Sequence, residues 1–188
     1  MTIYVISDTH FDDPKMVNGL NRPFECVNDM NESLIDVWNF VVDETDTVYH
    51  LGDLLGDEPT ENRENHALFR LEQLNGTIFL IAGNHAPVPK SDFTDSPIDI
   101  EPSRILHFQD QEFYLSHKFE HAPNNWNGWV ISGHEHENPQ KYPFIDADSH
   151  RINIACERIE YRPLALTELV SYIKTGERYE TLADTPNY

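Results

Sequence analysis

Five times along this sequence an apolar run ends on side chains able to bind a metal. Ile3-Tyr4-Val5-Ile6 leads to Asp8 and His10, and Thr47-Val48-Tyr49-His50-Leu51 to Gly52-Asp53. Thr77 to Ala82 runs into Gly83-Asn84-His85. Glu112 to Leu115 is followed by Ser116-His117, and Trp129-Val130-Ile131 by Gly133-His134-Glu135-His136. Such short apolar runs read as buried strands. Open α/β sheets carry their sites at the carboxyl ends of strands. Five ends meeting on one rim therefore constrain the fold more than any other feature. Asp8 and His10 stand two apart, as do His134 and His136, so each pair can face one side where extended geometry persists. Gly52, Gly83 and Gly133 each precede a polar group and predict tight turns that let it reach inward.

Between the strands, Met30, Leu34, Ile35, Trp38, Val41 and Val42 recur at helical spacing, with Asn28 available as N-cap. Asn65 to Leu74 predicts a helix with Leu68, Leu71 and Leu74 on one side, and Thr167 to Lys174 a last one stopped by Gly176. Ile105–Phe108 and Glu112–Leu115 predict a hairpin, and Arg151–Ala155 a further strand. Asp12 to Gly19 and Pro87 to Pro102 read as loops. Strands alternate with helices in the first half and dominate the second. The expectation is an α/β fold with strands in more than one sheet. Residues 1–188 show no repeat or linker and form one expected domain.

Lys plus Arg number 13 against 33 Asp plus Glu, a net charge of −20. That balance argues against basic nucleic-acid arms and polybasic membrane patches. The acid is spread along the chain, as on a surface adapted to high salt, where screening removes self-repulsion. No run has the length of a membrane span and the N-terminus has no signal-like basic region, so the cytoplasm is the expected compartment. Cys26 and Cys156 are too few for a disulfide framework or a cysteine zinc site, and read as small buried hydrophobes.

The strand-end donors are two Asp, one Asn and four His, with His85 left over. About four protein ligands fill one zinc-like ion, so seven suit two ions sharing a carboxylate. Oxygen and imidazole donors without thiolate favour manganese, iron, zinc or nickel. Two such ions ~3.5–4 Å apart clamp an in-line displacement at phosphorus.

Asp8-Thr9-His10, Gly52-Asp53, Gly83-Asn84-His85, His117 and Gly133-His134-Glu135-His136 resemble, in order, the five motifs of the calcineurin-like metallophosphoesterases. Arg22-Pro23-Phe24, Met30-Asn31-Glu32, Trp38-Asn39, Asn153-Ile154-Ala155 and Tyr161-Arg162-Pro163-Leu164 resemble small phage and prokaryotic members. The resemblance implies a four-layer αββα sandwich of two mixed β-sheets flanked by helices. It implies that Asp8, His10 and His136 hold a first ion, Asp53 bridges, and Asn84, His117 and His134 complete a second. His85 would sit beside the substrate, stabilising charge or protonating the leaving oxygen, with a metal-bound hydroxide as nucleophile. Manganese is the first choice of metal. The expected substrate is a phosphate ester, with diesters of nucleotide type (2′,3′-cyclic nucleotides or oligonucleotide ends) ahead of monoesters and nucleotide pyrophosphates.

Two departures stand out. Ala86 replaces the acid that usually follows the Gly-Asn-His motif and would raise the basicity of His85. Asp12-Asp13 replaces a common Gly-His, and these two read as solvated loop acids. Ala86 alone favours the rival of another class, a metal-binding interaction module without catalysis. His50, His66, His107, His121 and His150 read as packing or surface groups, His121 with the best chance of lining a cleft. Trp126 and Trp129 read as packing, and Arg104, Arg151 and Arg162 as surface or ion-paired residues.

Overall fold

A computed structural model describes residues 1–56, 62–85 and 98–186. Strands β1 (Ile3–Ile6), β2 (Thr47–His50) and β3 (Thr77–Ile81) come first, followed by β4 (Ile100–Glu101). They lie parallel in one five-stranded sheet, with β10 (Leu164–Ala165) antiparallel against β1. The second sheet holds β5 (Arg104–Phe108), β6 (Gln111–Leu115), β7 (Trp129–Ser132), β9 (Arg151–Asn153) and β8 (Ile145–Asp146), in that spatial order. There β6, β7 and β9 run parallel, while β5 and β8 are antiparallel edges. Two mixed sheets with helices give the expected sandwich architecture.

The helices are α1 (Pro14–Asn18), α2 (Val27–Val41), α3 (Arg63–Leu71) and α4 (Leu166–Ile173). Met30, Leu34 and Trp38 bury the inner stripe of α2, and the Trp38 ring stacks on His50 of β2. α4 packs against β1 and β10, burying Leu166, Leu169, Val170 and Ile173. Among the described residues, no helix is long and apolar enough to cross a membrane.

Some expectations need correction. The segment after Asp12 is helical: Asp13 accepts from the Lys15 N–H and Pro14 occupies the first turn, a start signal that a five-residue helix makes easy to miss. The N-cap of α2 is Cys26, not Asn28, and Cys26 is exposed while Cys156 is buried. The helix expected over Asn65–Leu74 runs Arg63–Leu71. Two-residue strands β8 and β10 are too short to show a period in sequence. Most of the stretch expected as a loop, and Ala86 with it, lies outside the described residues.

The register brings the strand ends together. Ile6 pairs with His50 and His50 with Leu80 in one sheet; Leu115 pairs with Ile131 and Ser132 with Asn153 in the other. A bridge between Ser7 and Ala155 then ties the end of β1 to the end of β9. Further backbone bonds run from Asp8 N to Gly52 O, His10 N to Asp53 O and Gly133 N to His117 O. The carboxyl ends of both sheets thus share one rim.

Candidate metal centre

On that rim two groups converge, Asp8 with His10 and His136, and Asp53 with His117 and His134. Within each group, one ligand-capable atom per residue lies within 4.8 Å of the others. Asp53 stands between them: its Oδ2 is 3.2 Å from His117 Nε2, 3.8 Å from His10 Nε2 and 3.9 Å from His85 Nε2. Asn84 Oδ1 lies 2.9 Å from His117 Nε2. The fold therefore brings all seven expected donors to one place, with His85 beside them. Asp8, His10, Asp53 and His117 are buried, His134 and His136 half-buried, and Asn84 is exposed.

The backbone is strained here. Asp8, His10, Asp53 and His134 all take positive φ, at 61°, 49°, 54° and 71°. Non-glycine residues seldom adopt this region, and such strain gathers at functional sites. The expectation for the glycines is met differently at each position. Gly52 is left-handed (φ 101°), but Gly83 and Gly133 are needed for space: a Cβ would strike the Asp53 carboxylate at Gly83 and that of Asp8 at Gly133. Each carboxylate is then fixed by one backbone donor. His134 N–H donates to Asp8 Oδ2 (2.9 Å), and His85 N–H to Asp53 Oδ1 (2.8 Å).

What remains is a surplus of acceptors. His117 Nδ1 faces the Leu51 carbonyl at 2.8 Å and must donate to it, which turns the Nε2 lone pair toward Asp53 Oδ2 and Asn84 Oδ1. In the neutral imidazole these are three acceptors without a donor, and either a proton on Nε2 or a cation satisfies them. In the other group, Asp8 Oδ1 and His10 Nε2 are buried without a hydrogen-bond partner among the described residues. Buried polar atoms are seldom left so, and these are the atoms that an ion would satisfy.

Electrostatics repeat the point. Burial opposes the charge on Asp8, yet His136, then His117 and His10, hold its carboxyl far below the usual range. Burial likewise opposes charge on Asp53, and the His117 hydrogen bond outweighs it to lower that carboxyl too. Desolvation disfavours imidazolium at His136, but the Asp8 carboxylate and then Glu157 push its pKa up to about 10. In the metal-free protein, protons substitute for the missing positive charge.

Sequence reasoning missed the surrounding supports. Asp13 is buried, not solvated, and its Oδ2 lies 3.4 Å from His10 Nδ1. Asp12 is held by Arg70, His66 and Asn31. Glu157 receives His136 Nδ1 at 3.0 Å and Arg22 Nε at 2.8 Å. Arg63 donates to the carbonyls of Gly56 and His85, bracing the His85 loop against α3. For Asp13, the Asp-Pro helix start was a usable signal; for Arg22, the resemblance of Arg22-Pro23-Phe24 marked the segment without its role; for Glu157 none existed.

The other side chains read as packing or surface groups largely keep those roles. His50 is buried and bonded to Thr9; His107 pairs with Glu112, and His150 packs on Trp129. Arg104 pairs with Glu101, Arg162 with Glu168, and Arg151 covers the Phe119 ring. His121 lines an open pocket of about 260 Å³ with Ala82, Pro102, Ser103 and Tyr114.

The family model of the calcineurin-like phosphoesterases matches residues 1–166. The chain belongs to this family. It is 38% identical over 184 residues, 97% of each chain, to the uncharacterized protein MJ1445 of Methanocaldococcus jannaschii. It also resembles the crystal structure of AQ665 from Aquifex aeolicus, a protein of unknown function, with a TM-score of 0.64 at 24% identity. That likeness covers 90% of this chain and 98% of the other, and concerns the fold. Membership supports metal-dependent hydrolysis of phosphoesters, and the family's divalent ions have two candidate sites here.

Proposed function

We propose that this chain is a dinuclear metal-dependent phosphodiesterase. Asp8, His10 and His136 would hold one ion and Asn84, His117 and His134 the other, with Asp53 able to serve both. The observation that carries the reading is the convergence of His117 Nε2, Asp53 Oδ2 and Asn84 Oδ1, which with a neutral imidazole offer three acceptors to one cation. The mixed oxygen and imidazole donors suit manganese, with iron, zinc or nickel as alternatives. When bound, the two ions supply Lewis-acid charge to a phosphoryl oxygen and lower the pKa of a water.

The protein's own residues do the rest. Asp53 holds the two halves at a fixed separation. His85, with its side chain about one-quarter exposed and its Nε2 3.9 Å from Asp53 Oδ2, is the proposed donor to the leaving oxygen. Arg63 fixes that loop through the His85 carbonyl.

The diester preference rests on how the chain is used. After residue 166 come most of α4, packed on β1 and β10, and a tail at Tyr179 that pairs with Ile145. Among the described residues these pack on β1, β10 and β8, and a cleft open to a two-sided substrate is proposed on that basis. The pocket lined by His121 and Tyr114 is the proposed seat for a second ester group. The whole chain acts as one domain, in the cytoplasm, with an acidic surface suited to high salt.

The test is turnover of bis-p-nitrophenyl phosphate against p-nitrophenyl phosphate with manganese added, repeated over a salt series. Faster diester turnover is expected. A clear monoester preference, or release of inorganic phosphate from nucleotides, would overturn the diesterase reading. Loss of folding above ~2 M salt would overturn the halophilic one.

A further inference from the structure

Glu157 lies on a 3-10 turn (Cys156–Arg158) directly after β9, remote in sequence from every motif of the site. Its two oxygens stand 3.1 and 3.0 Å from His136 Nδ1. A carboxylate only accepts, so Nδ1 carries the proton, and Nε2 is turned toward Asp8 Oδ1 at 3.3 Å. The carboxylate is itself anchored. Arg22, 3% exposed, donates from Nε to Glu157 Oε1 at 2.8 Å. Its Nη1 donates to the Thr9 carbonyl (2.8 Å) and its Nη2 to the Asp8 carbonyl (2.7 Å). These carbonyls belong to the segment that carries positive φ at Asp8 and His10. One buried guanidinium thus ties the strained ligand loop to the carboxylate that orients the most distant ligand of the same half-site.

We propose that Glu157, anchored by Arg22, is a positioning residue that orients His136 toward the ion held with Asp8 and His10. This rests on the metal-site reading above. A purely structural ion pair would affect melting, whereas a positioning group must affect one ion more than the other. Partners of metal-bound histidines typically contribute 10–100-fold in affinity.

The experiment titrates manganese into the metal-free full chain by calorimetry, comparing wild type, Glu157→Ala and Glu157→Gln, with thermal melts checking the fold. Wild type is expected to bind two ions. Glu157→Ala is expected to weaken one by ~10–100-fold while the other stays within about threefold. Glu157→Gln, whose amide oxygen can still accept from Nδ1, is expected to recover part of that loss. Should Glu157→Ala not fold, Glu157→Gln alone decides: a loss above about threefold on one ion supports the inference, and none overturns it. Two-ion binding unchanged in folded Glu157→Ala, or weakened equally at both ions, overturns this inference and leaves the metal reading standing. Wild type that binds no manganese overturns both.

Discussion

The two halves of the candidate metal centre are built by different means. In the Asp53 half, His117 is oriented by a backbone carbonyl, that of Leu51, and the outer donor Asn84 is exposed. In the Asp8 half, both histidines face carboxylates: His10 faces Asp13 at 3.4 Å and His136 faces Glu157 at 3.0 Å. Glu157 needs its own buried cation, Arg22. A carbonyl contributes a fixed dipole and needs no countercharge; a buried carboxylate does. Desolvation opposes charge on Glu157, but His136 and then Arg22 hold its pKa at about 2. The Asp8 half is therefore the more negative and the more dependent on distant residues.

This contrast can be broken at its centre. Asp53 touches both halves, so Asp53→Asn is expected to weaken both ions and lower phosphoester hydrolysis by more than ~100-fold, beyond the usual effect of outer partners. Loss of a single ion, measured by metal content after gel filtration, would assign Asp53 to one half only.

Next come the two glycines. Gly133→Ala places a methyl against Asp8, and Gly83→Ala one against Asp53. Each is expected to cost ~1–3 kcal/mol in chemical denaturation. Gly133→Ala should spare the Asn84-side ion, while Gly83→Ala, acting through the bridge, should weaken both. Identical metal losses in the two variants would erase the distinction.

A smaller effect sharpens the first half alone. Asp13→Asn removes the charge facing His10 and is expected to weaken one ion by about tenfold, read by manganese titration. An equal loss at both ions would contradict the division.

The smallest effect concerns a group behind both halves. His50 is fully buried, and burial lowers its pKa to about 4, with the attraction of Asp8 and Asp53 only partly offsetting this. Its folded value lies below its unfolded value of 6.5, so the neutral form is the stabilising one. That stability is present above pH ~6.5 and drains as pH falls toward 4, by about 1 kcal/mol between pH 7 and 5.5. His50→Gln should flatten urea-denaturation stability of the metal-free protein across this window. The Glu157 contribution falls in a lower one, below pH ~4.5. An unchanged slope would show that His50 is not the titrating group.

Much of this was legible in the residues. Each strand with its trailing donor is a local pattern, because an apolar run predicts its own burial and a strand delivers the next side chains to its end. That is why Asp8, His10, Asp53, Asn84, His85, His117, His134 and His136 could be named before any coordinates. The short elements α1, β8 and β10 could not, since two to five residues carry too little periodicity.

The amino-acid order alone set which donors this protein has and that they sit at strand ends. Tertiary structure brings those donors into two groups, because the Ser7–Ala155 bridge that joins the sheet ends spans 148 residues of chain. It also decided what supports them: Arg22 and Glu157 stand 135 positions apart, and no local pattern encodes a pairing that only the closed core brings within hydrogen-bond reach.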